Sequence, residues 1–184
     1  MSGRFLNYLL SIALMIGFFA GGFVFFIKRG GRGRQHKRPG PVSGGSISVF
    51  FDRAGNAVFI PYVKDKFGSG RATADVLFIT KPYGSEKLGA AVRAAMAGCR
   101  DASPCSNREL LEKLEARDWA EFSADKRNIS IYYKESYGII FNATRRKADG
   151  AYEFICGGAE QSLPPDIGDE ELGGTVLQLL QNCR

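Results

Sequence analysis

Two stretches of the chain share one helical pattern of apolar positions. Apolar side chains recur at three- and four-residue spacing over residues 85–100 and again over residues 169–184, with leucine, valine and cysteine at matching places 84 residues apart. Each stretch opens with a residue type that caps helices, Ser85 or Asp169, followed by an acidic residue in the first turn. The pattern predicts two amphipathic helices. Because the matched positions are capping residues, apolar residues and a glycine, we interpret the two helices as scaffold.

Segments rich in β-branched and aromatic residues predict strands before each of these helices. Three segments precede the first helix and four precede the second: residues 47–51, 57–63, 74–80, 129–133, 139–144, 151–156 and 159–163. Pro61 predicts that its strand lies at a sheet edge or ends early, because proline cannot donate to a strand ladder. The continuous apolar run over residues 76–79 predicts a strand that is covered on both faces.

A segment with helical spacing separates the two groups of strands. Ser106 and Glu109 form a capping-box pattern, and apolar residues then recur as far as Phe122, which predicts a linking helix. The order predicts an α+β domain, with an antiparallel or mixed sheet, helices packed on it, and two similar βββα halves. Ile-Ser-Val at residue 47 and Ile-Ser-Ile at residue 129 begin the halves alike, and we interpret this similarity as an internal duplication.

Residues 5–27 form an uncharged, mostly apolar run of 23 residues. A helix of that length spans about 34 Å, enough to cross the hydrocarbon core of a bilayer. The sequence therefore predicts one transmembrane anchor within residues 1–28, in front of the domain. A cleaved signal peptide is the alternative, but its apolar region is usually shorter and its positive charge comes first. A start site further downstream would remove the segment.

The charges around this run predict its orientation. Six basic residues follow it and Arg4 precedes it, so the positive-inside rule places the amino terminus outside and the domain in the bacterial cytoplasm, at the inner membrane. With a downstream start site the protein is cytoplasmic and soluble. The six are also predicted to bind anionic lipid headgroups: Lys28, Arg29, Arg32, Arg34, Lys37 and Arg38. Gly17 and Gly21 form a Gly-x-x-x-Gly step that allows two anchors to pair weakly.

Residues 29–45 are rich in glycine, arginine and proline and predict a basic, flexible linker, with the globular domain over residues 46–184. The first 38 residues hold seven of the 25 lysines and arginines and none of the 19 acids. Acidic and basic residues therefore nearly balance in the domain. The basic pI belongs to the amino-terminal segment and does not indicate nucleic-acid binding by the domain.

The domain has few of the groups that carry catalysis or bind metals. The single histidine, His36, lies in the linker, so Ser-His-Asp and Cys-His catalysis and histidine metal sites are not predicted in the domain. The four cysteines form no Cys-x-x-Cys pair, and Cys99 and Cys183 fall on apolar helix faces, where cysteine behaves as a small buried hydrophobe. No phosphate-binding glycine loop is present. The sequence therefore predicts a protein that is not an enzyme and has no cofactor or metal.

Several motifs together resemble the immunity proteins of contact-dependent growth inhibition systems. They are Trp119-x-x-Phe122, the Ile-Ser-Ile strand at residue 129, the run Asp-Glu-Glu-Leu-Gly from Asp169, and the run Ser-Glu-Lys-Leu-Gly from Ser85. The resemblance covers about residues 46–184. It implies a non-enzymatic α+β protein that binds and neutralises the toxic carboxy-terminal domain of a sibling cell's delivered effector, often a nuclease. The immunity proteins that it resembles are soluble, so the predicted anchor departs from the family.

The resemblance bears on one group of acidic residues. A basic toxin would dock faster on an acidic surface, and the densest acidic set lies at the start of the second repeated helix, so we expect it to bind the partner: Asp166, Asp169, Glu170 and Glu171. Helix capping is the other explanation of these carboxylates.

Two further functional interpretations remain open. The anchor favours a membrane-bound structural or assembly protein with a cytoplasmic protein-binding domain. The strand aromatics Phe50, Phe51, Tyr132 and Tyr133 would suit a base-stacking platform for RNA, with core packing as the alternative. Because the domain lacks a basic cluster, no nucleic-acid partner is expected.

Overall fold

The computed structural model describes residues 40–155, 157 and 159–184. The predicted anchor over residues 5–27, its Gly17–Gly21 step and the six basic headgroup-binding residues lie outside these ranges. Over the described residues, no helix is long and apolar enough to cross a membrane.

In the described part of the chain, eight strands form one antiparallel sheet. They are β1 (Ser46–Phe51), β2 (Ala57–Lys64), β3 (Gly70–Ala72), β4 (Leu77–Ile79), β5 (Arg127–Lys134), β6 (Gly138–Arg146), β7 (Tyr152–Phe154) and β8 (Glu160–Leu163). The strand order is β3-β2-β1-β5-β6-β7, with β4 also paired to β2 and β8 also paired to β6. The predicted α+β class is confirmed, and the sheet is antiparallel rather than mixed.

Four helices in the described ranges cover the sheet: α1 (Ser85–Gly98), α2 (Asn107–Lys113), α3 (Trp119–Ser123) and α4 (Asp169–Leu180). The long helices α1 and α4, which carry the repeated pattern, pack on one face and enclose the larger apolar core. The short helices α2 and α3 cover part of the other face with a second core. Alternation along each strand explains this arrangement, because successive side chains point to opposite faces of the sheet.

The strand registers show a pseudo-two-fold relation between the halves. Ser48 of β1 pairs with Ser130 of β5, which lies 82 residues later and is its counterpart. The same offset carries the Ser48–Ile60 pair onto the Ser130–Asn142 pair. It also carries the pair of Tyr62 with Ala72 onto that of Thr144 with Phe154. The predicted similarity of the two halves is confirmed, although each half contains four strands rather than three.

The run predicted as a single covered strand is split at the sheet edge. β3 pairs with the end of β2 and β4 with its beginning. The prediction that this run is covered on both faces is wrong, because Leu77 and Phe78 are 36% and 54% exposed. The split also explains Pro61, which lies inside a strand with neighbours on both sides. The Pro61 carbonyl accepts a hydrogen bond from the Thr73 N–H at 2.9 Å, so its donorless nitrogen faces the gap between β3 and β4.

The predicted linking helix is two short helices. α2 begins at the predicted capping box, in which the Glu109 N–H donates to Ser106 and the Ser106 N–H donates to Glu109 at 2.7 Å. The chain turns at Glu115, whose φ of 53° ends the helix. Asp118 then caps α3 by accepting from the Glu121 N–H at 2.8 Å. The break lets the segment follow the curved sheet.

The end of the predicted linker joins the domain. Val42 is buried in the larger core, and its N–H donates to the Pro165 carbonyl at 2.8 Å. A buried valine with a paired backbone belongs to the folded domain, which therefore includes residues before Ser46.

Candidate partner-binding groove

Three cavities meet at Tyr62 on the face of the sheet opposite α1 and α4. The smallest, which we call the central groove, has a volume of about 260 Å³ and runs across the sheet from Tyr62 to Phe154. A second, of about 280 Å³, lies between Tyr62 and α2. The largest, of about 670 Å³, lies at the end of the sheet where β1 begins. We call it the basic notch.

Hydroxyl and amide side chains form the floor of the central groove. Ser48 and Ser130 lie in its middle, at the pseudo-two-fold position, with Asn128 and Thr144 beside them. The Thr144 hydroxyl is 2.7 Å from the Asn128 carbonyl oxygen, to which it donates. Next to this floor, in register with Ser130, the Asn142 amide nitrogen is buried with no hydrogen-bond partner among the described residues.

Aromatic side chains form the walls of the central groove: Tyr62, Trp119, Tyr152 and Phe154. Phe154 is 58% exposed. A polar floor between aromatic walls can hydrogen-bond a segment of a partner while covering its apolar side chains. The arrangement therefore suits protein binding.

Tyr62 connects the cavities as a neutral phenol. Burial raises the pKa of Tyr62, and a hydrogen bond with Ser48 offsets part of that effect. The hydroxyl therefore keeps its proton at neutral pH, when an unperturbed tyrosine is also neutral. It can both donate and accept hydrogen bonds at the junction.

The second core holds α2 and α3 beside the groove. Phe50 makes edge-on contacts with Trp119, Phe122 and Tyr152, at ring-centroid distances of 5.6, 5.1 and 5.5 Å. Edge-on geometry is favoured by the ring quadrupoles. The Tyr152 hydroxyl lies 2.9 Å from the Lys126 carbonyl oxygen, which positions the strand wall against the end of α3. The groove is thus built on packed elements rather than on a loop.

The basic notch follows from the lengths of three neighbouring strands. β1 begins at Ser46, opposite Tyr62 and Tyr132. β2 and β5 extend two residues further, to Lys64 and Lys134. The two lysines and Arg100, which follows α1, therefore surround a gap in the sheet.

The predicted acidic patch is divided between two environments. The Asp169 carboxylate pairs with the Arg93 guanidinium of α1 at 2.7 Å, and their side chains are 19% and 12% exposed. Arg93 also donates to the Gly40 carbonyl at 2.8 Å. Asp166, Glu170 and Glu171 lie exposed around the start of α4. The structure therefore brings Asp169 into the contact between the long helices and leaves the other three free to meet a partner.

The buried aromatics argue against the RNA interpretation. Phe50 and Phe51 are 2% and 1% exposed and belong to different cores, on opposite faces of the sheet. Neither can stack on a base. Core packing is thus confirmed for these two residues, whereas Tyr132 lines the basic notch.

The two repeated cysteines are buried ties between helix and strand. The Cys99 thiol donates to the Ser46 carbonyl oxygen at 3.4 Å, and the Cys183 thiol donates to the Asn128 carbonyl oxygen at 3.1 Å. Ser46 and Asn128 are themselves counterparts in β1 and β5. The predicted burial of both cysteines is confirmed, and their repetition has a structural cause.

Sequence analysis missed the residues of the groove. The serines at its centre were visible as the middle residues of Ile-Ser-Val and Ile-Ser-Ile. A polar residue at the same place in two otherwise apolar strands indicates a face that the helices leave uncovered. The basic notch left no local signal, because its cations come from three separate elements.

No protein-family model and no curated protein matches this sequence. Two solved structures share the fold with a TM-score of 0.60 each. One is a protein of unknown function from Neisseria meningitidis, 13% identical, with 79% of this chain and 99% of that chain covered. The other is a chain of the CdiA-CT/CdiI toxin and immunity complex from Yersinia pseudotuberculosis, 14% identical, with 79% of this chain and 100% of that chain covered.

These likenesses show the fold. At this identity, the residues that contact a partner in the Yersinia complex do not transfer to this chain position by position. The coverage nevertheless includes nearly all of both solved chains, so the likeness concerns a complete domain and not a shared supersecondary motif.

Proposed function

We propose that this chain is an immunity protein that binds and neutralises a toxin domain of a contact-dependent growth inhibition system, without catalysis. The observation that carries the proposal is the fold shared with a chain of a toxin and immunity complex over 79% of this chain. The motifs around Trp119, Ile129 and Asp169 resemble the same family and support it independently of the fold comparison.

The chemistry of the domain favours the inhibitor over the toxin as its role. The only histidine of the chain precedes the domain. Among the described residues, carboxyl groups with a resolved shift have a lowered pKa: Asp52, Glu109, Asp118 and Glu153. A general acid needs a pKa raised toward neutrality. These carboxylates instead accept hydrogen bonds in turns, caps and an ion pair.

The central groove supplies a surface for the partner. Immunity requires a tight and specific contact, and interfaces of that kind use aromatic anchors around well-packed centres. Trp119, Tyr62 and Phe154 provide such anchors around the serine floor. The exposed acids Asp166, Glu170 and Glu171 form a second surface, at the start of α4, that would suit a basic toxin.

Coexpression tests the proposal. The full-length chain is produced in cells that express the toxin domain encoded beside its gene, and both growth and co-purification are measured. We expect growth to be restored and the two proteins to purify together. Toxicity that persists while the full-length chain is expressed and folded, with no co-purification, would reject the immunity role.

A filled groove tests the surface. Ser130→Trp places a large side chain on the floor of the central groove and should abolish protection while the protein stays folded. Ala54→Trp, on the exposed turn after β1, makes the same addition away from the groove and should protect as well as the wild-type chain. Equal protection by both variants would exclude the groove as the contact.

We also propose that residues 5–27 tether the domain to the cytoplasmic face of the inner membrane. The uncharged run and the six basic residues after it, from Lys28 to Arg38, support this location. Fractionation and protease protection in spheroplasts measure it. Full-length protein in the soluble fraction would reject the tether and leave the immunity role standing. Membrane association without protection would favour the assembly-protein alternative.

A further inference from the structure

We infer that the basic notch binds an acidic segment of the toxin, through Lys64 and Lys134. The inference rests on the proposed function and assigns the partner's chemistry at one part of its surface. It places the charge complementarity opposite to the sequence-based expectation, which gave the acids to this chain and the basic residues to the toxin.

The shape of the notch is fixed by backbone packing. Gly45 lies between the two lysine-bearing strands, and its carbonyl accepts from the Tyr133 N–H at 3.0 Å. Its φ is +105°, and a Cβ there would lie 2.6 Å from the Met96 carbonyl oxygen of α1. Glycine is therefore needed where the chain enters β1. The absence of a side chain leaves the gap open between Lys64 and Lys134.

The charges around the notch have one sign. Lys64, Arg100 and Lys134 line it, and no acidic residue does. Each cation is followed in the sequence by an acid, but those acids point elsewhere. The Asp65 carboxylate, for example, accepts from the Phe67 and Ser69 N–H groups at 2.8 and 3.0 Å within its own turn.

The cations of the notch are available to a partner. Over the described ranges, no ion pair involves any of the three. The Lys134 ammonium lies 4.6 Å from the centre of the Tyr137 ring, which is 61% exposed. Arg100 lies just after the carboxyl end of α1, whose carbonyl groups attract a cation. The two lysines are therefore the residues whose charge has no explanation within the fold.

The size and lining of the notch suit a peptide segment. A volume of about 670 Å³ has room for several side chains, and the tyrosines Tyr62, Tyr132 and Tyr133 line it beside the cations. Carboxylates on a short segment can reach both lysines and accept from tyrosine hydroxyls. Tyr62 also lines the central groove, so a segment bound there extends into the notch without leaving the protein surface.

Charge reversal tests the inference. Full-length Lys64→Glu/Lys134→Glu protein is compared with Lys87→Glu/Lys113→Glu protein, which has the same net charge and changes exposed lysines on α1 and α2. Association with the toxin domain encoded beside the gene is measured at low and high salt. We expect the notch variant to associate at least about tenfold more slowly at low salt, because it loses electrostatic steering. The difference should shrink near 1 M salt, where charges are screened within about 3 Å.

The outcomes separate the two proposals. Absence of binding by the wild-type chain would overturn the immunity role and, with it, this inference. Wild-type binding together with equal association rates for the notch and control variants would overturn the inference alone. Restored association of the notch variant with a toxin whose acidic segment has been changed to lysine would identify that segment as the occupant.

Discussion

Gly89 of α1 and Gly173 of α4 face each other where the two long helices pack together. A Cβ at Gly89 would lie 1.8 Å from the Asp169 carbonyl oxygen, and a Cβ at Gly173 would lie 1.9 Å from the Ser85 carbonyl oxygen. Each glycine thus admits the backbone of the other helix. Because Ser85 and Asp169 are counterparts, the contact is itself two-fold.

Gly89→Ala is expected to lower the free energy of unfolding by at least about 2 kcal/mol, since a methyl group cannot enter this contact without moving a helix backbone. Gly174→Ala is the matched control. It lies in the same helix as Gly173 but has open space around its Cβ position, and it should be neutral or stabilising by up to about 1 kcal/mol. Urea unfolding of the three proteins measures the difference. A smaller loss for Gly89→Ala than for the control would contradict the close contact.

Arg93→Ala is expected to cost about 2–4 kcal/mol of stability. It removes a largely buried guanidinium that pairs with Asp169 and donates to the Gly40 carbonyl, and a partly buried pair is costly to break. Arg108→Ala removes an ion pair with Glu112 whose side chains are 88% and 63% exposed, and should cost less than about 0.5 kcal/mol. Thermal and chemical unfolding check both values. Equal losses would show that Asp169 is held by something other than Arg93.

Phe50→Ala is expected to lower stability by about 3–5 kcal/mol and to loosen α3. The side chain is 2% exposed and contacts three aromatic rings, so its removal leaves a cavity. Phe78→Ala deletes the same atoms at a position that is 54% exposed and should cost less than about 1 kcal/mol. Hydrogen exchange of the α3 amides reports the local effect. Unchanged protection of α3 would show that Phe50 does not hold this helix.

Asp52 should make stability depend on pH in the acid range. Burial by itself raises the pKa of Asp52, but hydrogen bonds from Asn56, Gly55 and Ala54 outweigh it and the pKa is lowered. The carboxylate therefore stabilises the fold above the pKa of the unfolded chain, near 4. This contribution is lost as the pH falls through the lower folded value.

The measurement compares the wild-type chain with Asp52→Asn between neutral pH and strong acid. The wild-type advantage in unfolding free energy should be constant near pH 7 and should shrink as the pH falls below about 4. An advantage that is the same at every pH would show that the charge of Asp52 does not contribute.

Local pattern was enough to predict the elements. Helical spacing of apolar residues identified α1 and α4, alternation identified most strands, and Ser106 with Glu109 identified the start of α2. The repeated motifs also predicted the two similar halves. These features depend on side chains within a few residues of each other, so the sequence contains them directly.

Local pattern was misleading where a residue answers to a distant neighbour. Pro61 predicted an edge, but its strand is interior because the neighbouring strand is split opposite it. The run at Phe78 predicted burial, but no element covers the strand that contains it. Both errors concern which strand lies beside which, a choice that depends on contacts between segments far apart in the chain.

By itself, the sequence determined the α+β class, the duplicated order of elements and the acidic start of α4, because backbone periodicity and helix capping act within one element. Tertiary structure alone decided that Asp169 pairs with Arg93, 76 residues away. It also decided that Ser48 meets Ser130 on the floor of the groove and that Lys64 and Lys134 flank one notch. Those juxtapositions follow from strand register and helix packing, which bring together charges and hydroxyls that no local spacing connects.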